Sequence, residues 1–598
     1  MSATQTAEII PFGERRRQKS MASRPEAFVE LPSDNRQLVR ECIKIIETCR
    51  SDSAARAAYY RSLNQVIETG RSDGSRSLLN LLYRMVDRLS SLLFSPTEIR
   101  FAMDFENEYG DEILQRGAVS ARLVSRSWER TNTDILFAQG VFESLKYGAA
   151  ILKQGVRQEG PDRLPVYSSG LIMPWQFGVY KPSVASLDAQ SAMVETIYLT
   201  MPEVWRRIYH MPDAKQLFDR IMTHAAPGSS SDINNSFFHQ VLSTSQIQTG
   251  IGGPTRPTVG GIVQLNQDPT FGGIGPTDAA LGVMMHELWM WGENDYTTIQ
   301  IIEPDILIAP RYRRSNLLIS GGDSGLHPYT LIQPNQTHGS IWGRSEIQDL
   351  IAPQDFLSTT AADIRRLFGL QVDKFLALTG DGITDEQYDA MRQAGFLNLG
   401  PGGSAQDLTP NFPAEALPLV DKIIQLMEMI SGFDNMLSGR GETGVRSGVQ
   451  ANPMMKTAGA PIGDRALITE RQCASAADLQ FHVMQAKDGR NYWTDRDHPE
   501  ATSFLLGDVP DDGRVVVDGH TTSPIFANDH LNLLTNGLKA GVVDPESYIE
   551  QAPFQNRDII LTRLRAKAAK QEAMMKQLEE KHPDVYAKLL EHSGGKRR

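Results

Sequence analysis

Cysteine is scarce in this 598-residue chain: Cys42, Cys49 and Cys473 are the only three. They are too few for a disulfide framework, and no CxxC or Cys/His spacing of a structural zinc site accompanies them. A reducing cytoplasm is the expected setting, with no cofactor. No apolar run approaches the roughly 20 residues of a membrane-spanning helix. The opening "MSATQTAEIIPFGERRRQKS" lacks the apolar centre of a signal peptide, so neither membrane insertion nor export is expected. Positive charge is also in deficit, 60 Lys and Arg against 72 Asp and Glu, for a formal net charge of -12. Such a balance argues against affinity built on broad neutralisation of nucleic-acid phosphates. It leaves room for a protein that DNA merely passes.

Catalytic motifs are missing too. "HELW" has the first half of the zincin pattern H-E-x-x-H, but Met290 stands one helical turn after His286 where the second histidine belongs. His286 is therefore read as a strand or core-edge histidine. "SGRGETGVRSG", Ser438 to Gly448, is rich in glycine like a phosphate-binding loop. Aligning Gly439 and Gly444 to the two glycines of G-x-x-x-x-G-K-[ST] puts Val445 in the lysine place and Arg446 one position late. The segment before it reads as helix, where a phosphate loop needs a strand. The glycines Gly439, Gly441, Gly444 and Gly448 are read as a hinge, since glycine supplies the positive-φ conformations of a sharp redirection. No enzyme is expected.

What is there is a sequence of textures. Residues 1–29 read as a mobile arm whose Arg15, Arg16, Arg17 and Lys19 are solvated. Helical spacing runs from Asn35 to about Leu93, with Cys42 and Cys49 as buried thiols on one face, and again from Asp111 to Tyr147. Strands and turns follow from Gly148 to Thr200, then one helix from "MPEVWRRIYHMP" into "AKQLFDRIMTHA", then a segment of loops or insertions ending near Gly275. Strands resume from Val283 to Thr330, with Arg311, Arg313 and Arg314 as solvated arginines.

The texture changes at "HGSIWGRSEIQDLIAPQDFLSTTAADIRRLFGL". Ile347, Leu350, Leu357, Ile364 and Phe368 recur at helical steps, which predicts an amphipathic helix of about six turns, bent at Pro353. Gln371 to Leu378 reads as a strand, Thr384 with Gln387 as a capping box opening a short helix through Arg392, and Phe396 to Leu399 as a second strand. Asp381, Asp385 and Glu386 are explained by the helix macrodipole, without a metal site. A second long helix follows in "AEALPLVDKIIQLMEMISGFDNML", with Leu419, Ile423, Leu426, Met427 and Ile430 on its apolar side. Beyond the hinge, helix resumes from about Ala466. The order is long helix, small β-α-β unit, long helix, hinge, third helix: a lever or pillar carrying a contact surface.

On these residues, "GRSEI", the strand-helix-strand insert, the return helix from Ala414, and "GRGETGVRSGVQ", the chain resembles the portal, or head-to-tail connector, proteins of tailed bacteriophages. The match in element order runs from about Gly339 to Gln485. The resemblance implies a mixed α+β portal fold, with residues 30–338 as the first part of a wing and 339–366 and 414–438 as paired stem helices. It makes 367–413 a clip, 439–486 a channel loop and helix, 487–527 the return of the wing, and 528–598 a helical crown. Stem packing falls to Ile347, Leu350, Leu357, Ile364, Ile423, Met427 and Ile430, and the hinge to the four glycines with Arg446. Docking of a motor or adaptor falls to Asp381, Thr384, Asp385, Glu386, Gln387, Tyr388 and Arg392.

The resemblance further implies a homo-oligomeric ring of twelve subunits at one capsid vertex, assembled in the host cytoplasm. The terminase large subunit, tail adaptor or head-completion proteins, and the major capsid and scaffold proteins are its implied partners, and double-stranded DNA passes through without sequence specificity. Twelve acidic chains would give a tunnel in which phosphates find few tight contacts. The alternatives are another virion component, such as a tail adaptor or scaffold, and a ring ATPase or nuclease. Neither accounts for the helix-insert-helix-hinge order, and the enzymes lack the residues their chemistry needs.

Overall fold

The stripe Leu38, Cys42, Ile46, Cys49, Ser53, Ala57, Tyr60, Leu63 and Ile67 recurs at steps of three and four, and in the structure, a computed structural model, it is the buried face of one helix, α1 (Asn35–Thr69). The Asp34 side chain accepts a hydrogen bond from the Gln37 N–H at 3.2 Å to cap its start, and Gly70, at φ 76°, ends it in the left-handed region. At 1.5 Å per residue α1 is about 50 Å long, enough to serve two cores. The structure describes residues 34–96, 99–157, 165–209, 211–227, 281–292, 296–303, 305–313, 326–372, 376–379, 404–407, 415–432, 448–494, 502–517 and 534–545, with isolated positions among 384–413 and 548–570.

The fold is mixed α and β, with helices set around several small sheets. The largest sheet has six antiparallel strands: β4 (Phe177–Val179), β5 (Ala192–Thr200), β7 (Leu281–Trp291), β8 (Tyr296–Ile302) and β9 (Ile306–Arg313) in that order, and β6 (Ala226–Pro227) beside β7. Alternation along the strands divides its faces. Ala192, Val194, Leu288, Met290, Ile299 and Ile301 pack on Leu38, Cys42, Ile46 and Cys49 of α1. Met193, Trp289, Trp291 and Tyr296 turn the other way. They meet Ile151, Ile172 and Tyr329 of a second sheet, formed by β10 (Tyr329–Ile332), β2 (Ala150–Arg157) and β3 (Val166–Ile172). Both thiols of α1 are buried, and burial pushes the Cys49 thiol up to about 12.

The distal half of α1 enters the main core, where Tyr60, Leu63 and Ile67 meet α2 (Leu82–Leu93), α3 (Asp111–Thr131) and α4 (Thr133–Tyr147). One long helix, α9 (Gly448–Lys487), runs through this core on small residues, Ala466, Cys473, Ala476 and Ala477, with Phe481 and Met484 beyond them. After α9 come a hairpin, β13 (Asn491–Trp493) with β14 (Ser503–Leu505), and β15 (Gly513–Val517), which pairs antiparallel with β1 (Phe101–Phe105).

Local expectations fail at identifiable residues. The stretch Asp111–Tyr147 is two helices, because Asn132 takes φ 52°, a left-handed conformation asparagine tolerates. The helix expected from Met201 onward is also two, α5 (Met201–Ile208) and α6 (Ala214–Met222), with Pro212 between them lacking the N–H a continuous helix would use. The helix expected from Ala466 begins at Gly448.

Candidate assembly interface

The region expected to carry function is built on two helices, α7 (Ile351–Val372) and α8 (Ala416–Ile430). Between them β11 (Leu376–Thr379) pairs antiparallel with β12 (Ser404–Asp407), so the chain goes out along α7 and comes back along α8. The return puts Ile423 and Met427 of α8 in the core that holds Ile347, Leu350 and Leu357.

The first long helix begins later than "GRSEI" predicts. Residues 339–347 are not helical, a 3-10 turn spans Gln348–Leu350, and α7 starts at Ile351. The reason is a close crossing of backbones. A Cβ on Gly343 would lie 2.4 Å from both the Asn335 and Gly148 carbonyl oxygens, and one on Gly148, at φ 97°, would lie 2.3 Å from the Gly343 oxygen. Backbone N–H groups here bond across to other elements: Ile341 to the Pro182 carbonyl at 2.8 Å and Glu346 to the Leu145 carbonyl at 2.8 Å. Pro353 consequently falls in the first turn of α7, where its missing N–H has no partner within that helix to lose. At the far end α7 continues through Val372, past the expected boundary at Arg366, and the first strand is Leu376–Thr379 rather than Gln371–Leu378.

Of the residues read as stem packing, Ile347, Leu350, Leu357, Ile423 and Met427 are buried together, Ile364 is half-buried, and Ile430 is 40% exposed. The exposure of Ile430 belongs to a pattern. On α8, Leu419, Ile423, Leu426 and Ile430 are spaced by four, three and four, the heptad steps of a helix seam. Only Ile423 of the four is covered; Leu426 is 43% and Leu419 40% exposed. Met429 and Leu417 on α8, and Phe356 and Phe368 on α7, are exposed as well. Phe368 lies on the same helical line as buried Leu350 and Ala361, but no residue from 362 to 371 is buried. The apolar stripe thus outruns the part of the body that covers it. Sequence periodicity found the stripe and could not find this mismatch, because periodicity does not say where a body ends.

The remaining candidates are placed as follows. Thr384 and Glu386 are exposed, Glu386 in a helical conformation. Asp381, Asp385, Gln387, Tyr388 and Arg392 lie outside the described residues, as do Gly439, Gly441, Gly444, Arg446 and the expected strand Phe396–Leu399. The strand that pairs with β11 is "SAQD", a polar run with no period-2 signal for a reader to find. Gly448 is the first residue of α9. Arg311 and Arg313 fall in β9, and Arg314 lies outside the described residues.

His286 is buried on β7, its Nδ1 3.0 Å from Thr196 Oγ1 and its Nε2 2.7 Å from Glu303 Oε1, and burial holds its pKa below the usual imidazole value. Among the described residues no three His, Cys, Asp or Glu side chains gather in a way suited to a metal ion, and no helix is long and apolar enough to cross a membrane.

Sequence reading missed a buried charge cluster between the two large sheets. Lys153 of β2 reaches both Glu195 of β5 and Glu287 of β7, the latter at 3.0 Å. Tyr329 donates to Glu195 at 3.1 Å, while Trp289 Nε1 and Gln300 Nε2 donate to Glu287 at 3.0 and 2.9 Å. The signal was present: a lysine in "AILKQGV" and glutamates in "MVETI" and "MHELW" occupy strand positions whose neighbours two residues away are apolar.

No family model matches the chain, and no curated protein does. Among solved structures the chain is similar to one in the virion of a native gene transfer agent particle, at 11% identity and a TM-score of 0.36, over 89% of this chain and 96% of that one. Likeness of that degree establishes neither fold nor function.

Proposed function

We propose that this chain is the subunit of a phage portal: a structural, non-enzymatic protein that closes into a ring at one capsid vertex and conducts double-stranded DNA during packaging and ejection. The observation that carries the reading is the half-covered seam on α8, with the exposed apolar residues of α7 beside it. Leaving Leu419, Leu426, Ile430 and Met429 in water forgoes roughly 25 cal/mol for each Å² that a neighbour would bury. Exposed apolar side chains gathered on one helix pair suit an interface. A pair of helices that presents different residues to either side suits a heterologous contact, which closes into a ring when the rotation permits.

In this reading the segment between α7 and α8 is the docking point for the terminase motor and later for tail adaptors, and the product is a virion component assembled in the cytoplasm. The chain's acidic balance suits a conduit through which phosphates slide. Single-particle imaging of the purified protein tests the reading. Axial views with rotational symmetry, twelvefold by the resemblance, and a central hole of duplex width are expected. A monodisperse monomer or dimer across salt and concentration would overturn it.

A further inference from the structure

The base of α7 is gripped by the loop that joins α1 to α2, residues 70–81. Three α7 side chains make the grip. Gln354, fully buried, donates from Nε2 to the Leu79 carbonyl at 2.6 Å and accepts the Leu81 N–H at 3.2 Å. Asp355 accepts both the Ser72 N–H at 2.9 Å and the Ser72 hydroxyl at 2.6 Å. Ser358 Oγ lies 2.7 Å from Ser77 Oγ and 3.0 Å from the Gly70 carbonyl. We propose that this loop is a releasable latch that sets the attitude of the α7–α8 arm to the body.

Three features separate a latch from ordinary packing. First, the apolar contact at the base of the arm, through Leu350 of the preceding 3-10 turn and Leu357 of α7, is non-directional and tolerates small rotations, whereas hydrogen bonds weaken steeply as their angles open. The polar grip therefore selects one orientation. Second, most of its partners have an alternative on release. The Ser358 hydroxyl carries one proton and has a second acceptor, the Gln354 carbonyl of its own helix, at 2.8 Å. The Asp355–Ser72 contacts are exposed, so water replaces them. Only the Gln354 amide loses partners it cannot replace within α7, apart from its 3.0 Å bond to Ser358. Third, no residue of α7 from 362 to 371 is buried, so beyond its base α7 itself has no buried contact and the arm is held to the body otherwise only through the apolar contacts of Ile423 and Met427 on α8. Over the 14 residues from Ser358 to Val372, a rise of 1.5 Å each gives a lever of about 21 Å. A rotation of roughly 15° at the latch moves its end by about 5 Å.

The latch is a property of the single chain and does not depend on ring formation, so its test is independent of the portal reading. Spin labels on Ala118→Cys of α3 and Gln371→Cys of α7, both exposed positions, report the arm's attitude as a distance distribution, with labelled chains diluted into unlabelled ones. In Gln354→Leu, and in Ser72→Ala with Ser77→Ala where the α7 change impairs folding, the distribution is expected to broaden or shift by several Å, and the backbone amides at positions 72 and 81 to exchange at least tenfold faster. Asp355→Asn, which keeps an acceptor for the Ser72 N–H, should stay close to the parent. An unchanged distribution in the latch variants would overturn the proposal. So would equal broadening in Leu357→Ala, which would assign the attitude to apolar packing.

Discussion

At the scale of single residues, the buried cluster of Lys153, Glu195 and Glu287 holds two carboxylates against one ammonium. Their surroundings separate them. Burial pushes Glu195 above its ordinary value despite Lys153 and Tyr329. Burial acts on Glu287 too, but the Lys153 ammonium and the donors on both its oxygens hold it below. The surroundings thus favour the ionised form more at Glu287 than at Glu195, and the two glutamates should answer differently to the same change. Glu287→Gln, which leaves the Lys153 ammonium with Glu195 alone, whose ionisation burial disfavours, is expected to cost about 3 kcal/mol; Glu195→Gln, which keeps Glu287 beside the ammonium, should cost under about 1 kcal/mol. Equal losses in urea unfolding would refute the assignment.

His286 gives a second prediction, in pH. Its folded-state pKa is lowered, chiefly by burial, so the folded protein binds fewer protons there than the unfolded chain. Its stabilising share is complete above the unfolded value of about 6.5 and is lost as pH falls from there through the depressed folded value. Melting temperatures of the parent should decline across that window more steeply than those of His286→Asn, and parallel curves would rule the effect out.

Elements decide where the arm starts and what it shows. Gly343→Ala places a Cβ 2.4 Å from two backbone oxygens, neither at the end of a flexible side chain. An overpacking cost of about 1–3 kcal/mol is expected, read as a lower urea midpoint; an unaltered midpoint would mean that the crossing can open. The uncovered seam of α8 leads to the opposite kind of outcome. Leu426→Asp with Ile430→Asp changes exposed positions, so the isolated chain should melt within a few degrees of the parent while its assembly, followed by light scattering, is abolished. Assembly undiminished in that double variant would place the subunit contact elsewhere.

The whole molecule is closed by its C-terminal third. α9 crosses the main core, and the segment after it returns Phe504, Leu506, Val509 and Val515 to that core, with β15 zipped onto β1. Each such side chain contributes about 1.5–3 kcal/mol on burial, so the four together contribute about as much as the whole margin by which proteins are folded. A chain ended at Lys487 is therefore expected to show no cooperative thermal transition. A sharp transition near that of the full chain would show that the body folds without its closing strands.

Much of this was legible in the sequence by itself. Period determined the helical runs of α1, α7 and α8; alternation and β-branched content determined strands such as β5 and β8; composition left no place for a disulfide framework. These are local properties, set by how a chain buries one face of a helix or sheet. Only the tertiary structure decided the rest, because the rest depends on what lies across from each residue. The crossing of Gly148 and Gly343 delayed α7, backbone pairing with β11 made a strand of "SAQD", and the sheets brought Lys153 between two glutamates distant in sequence. The edge of the body decided that Ile423 is covered while Leu426 and Ile430, on the same seam, are left exposed.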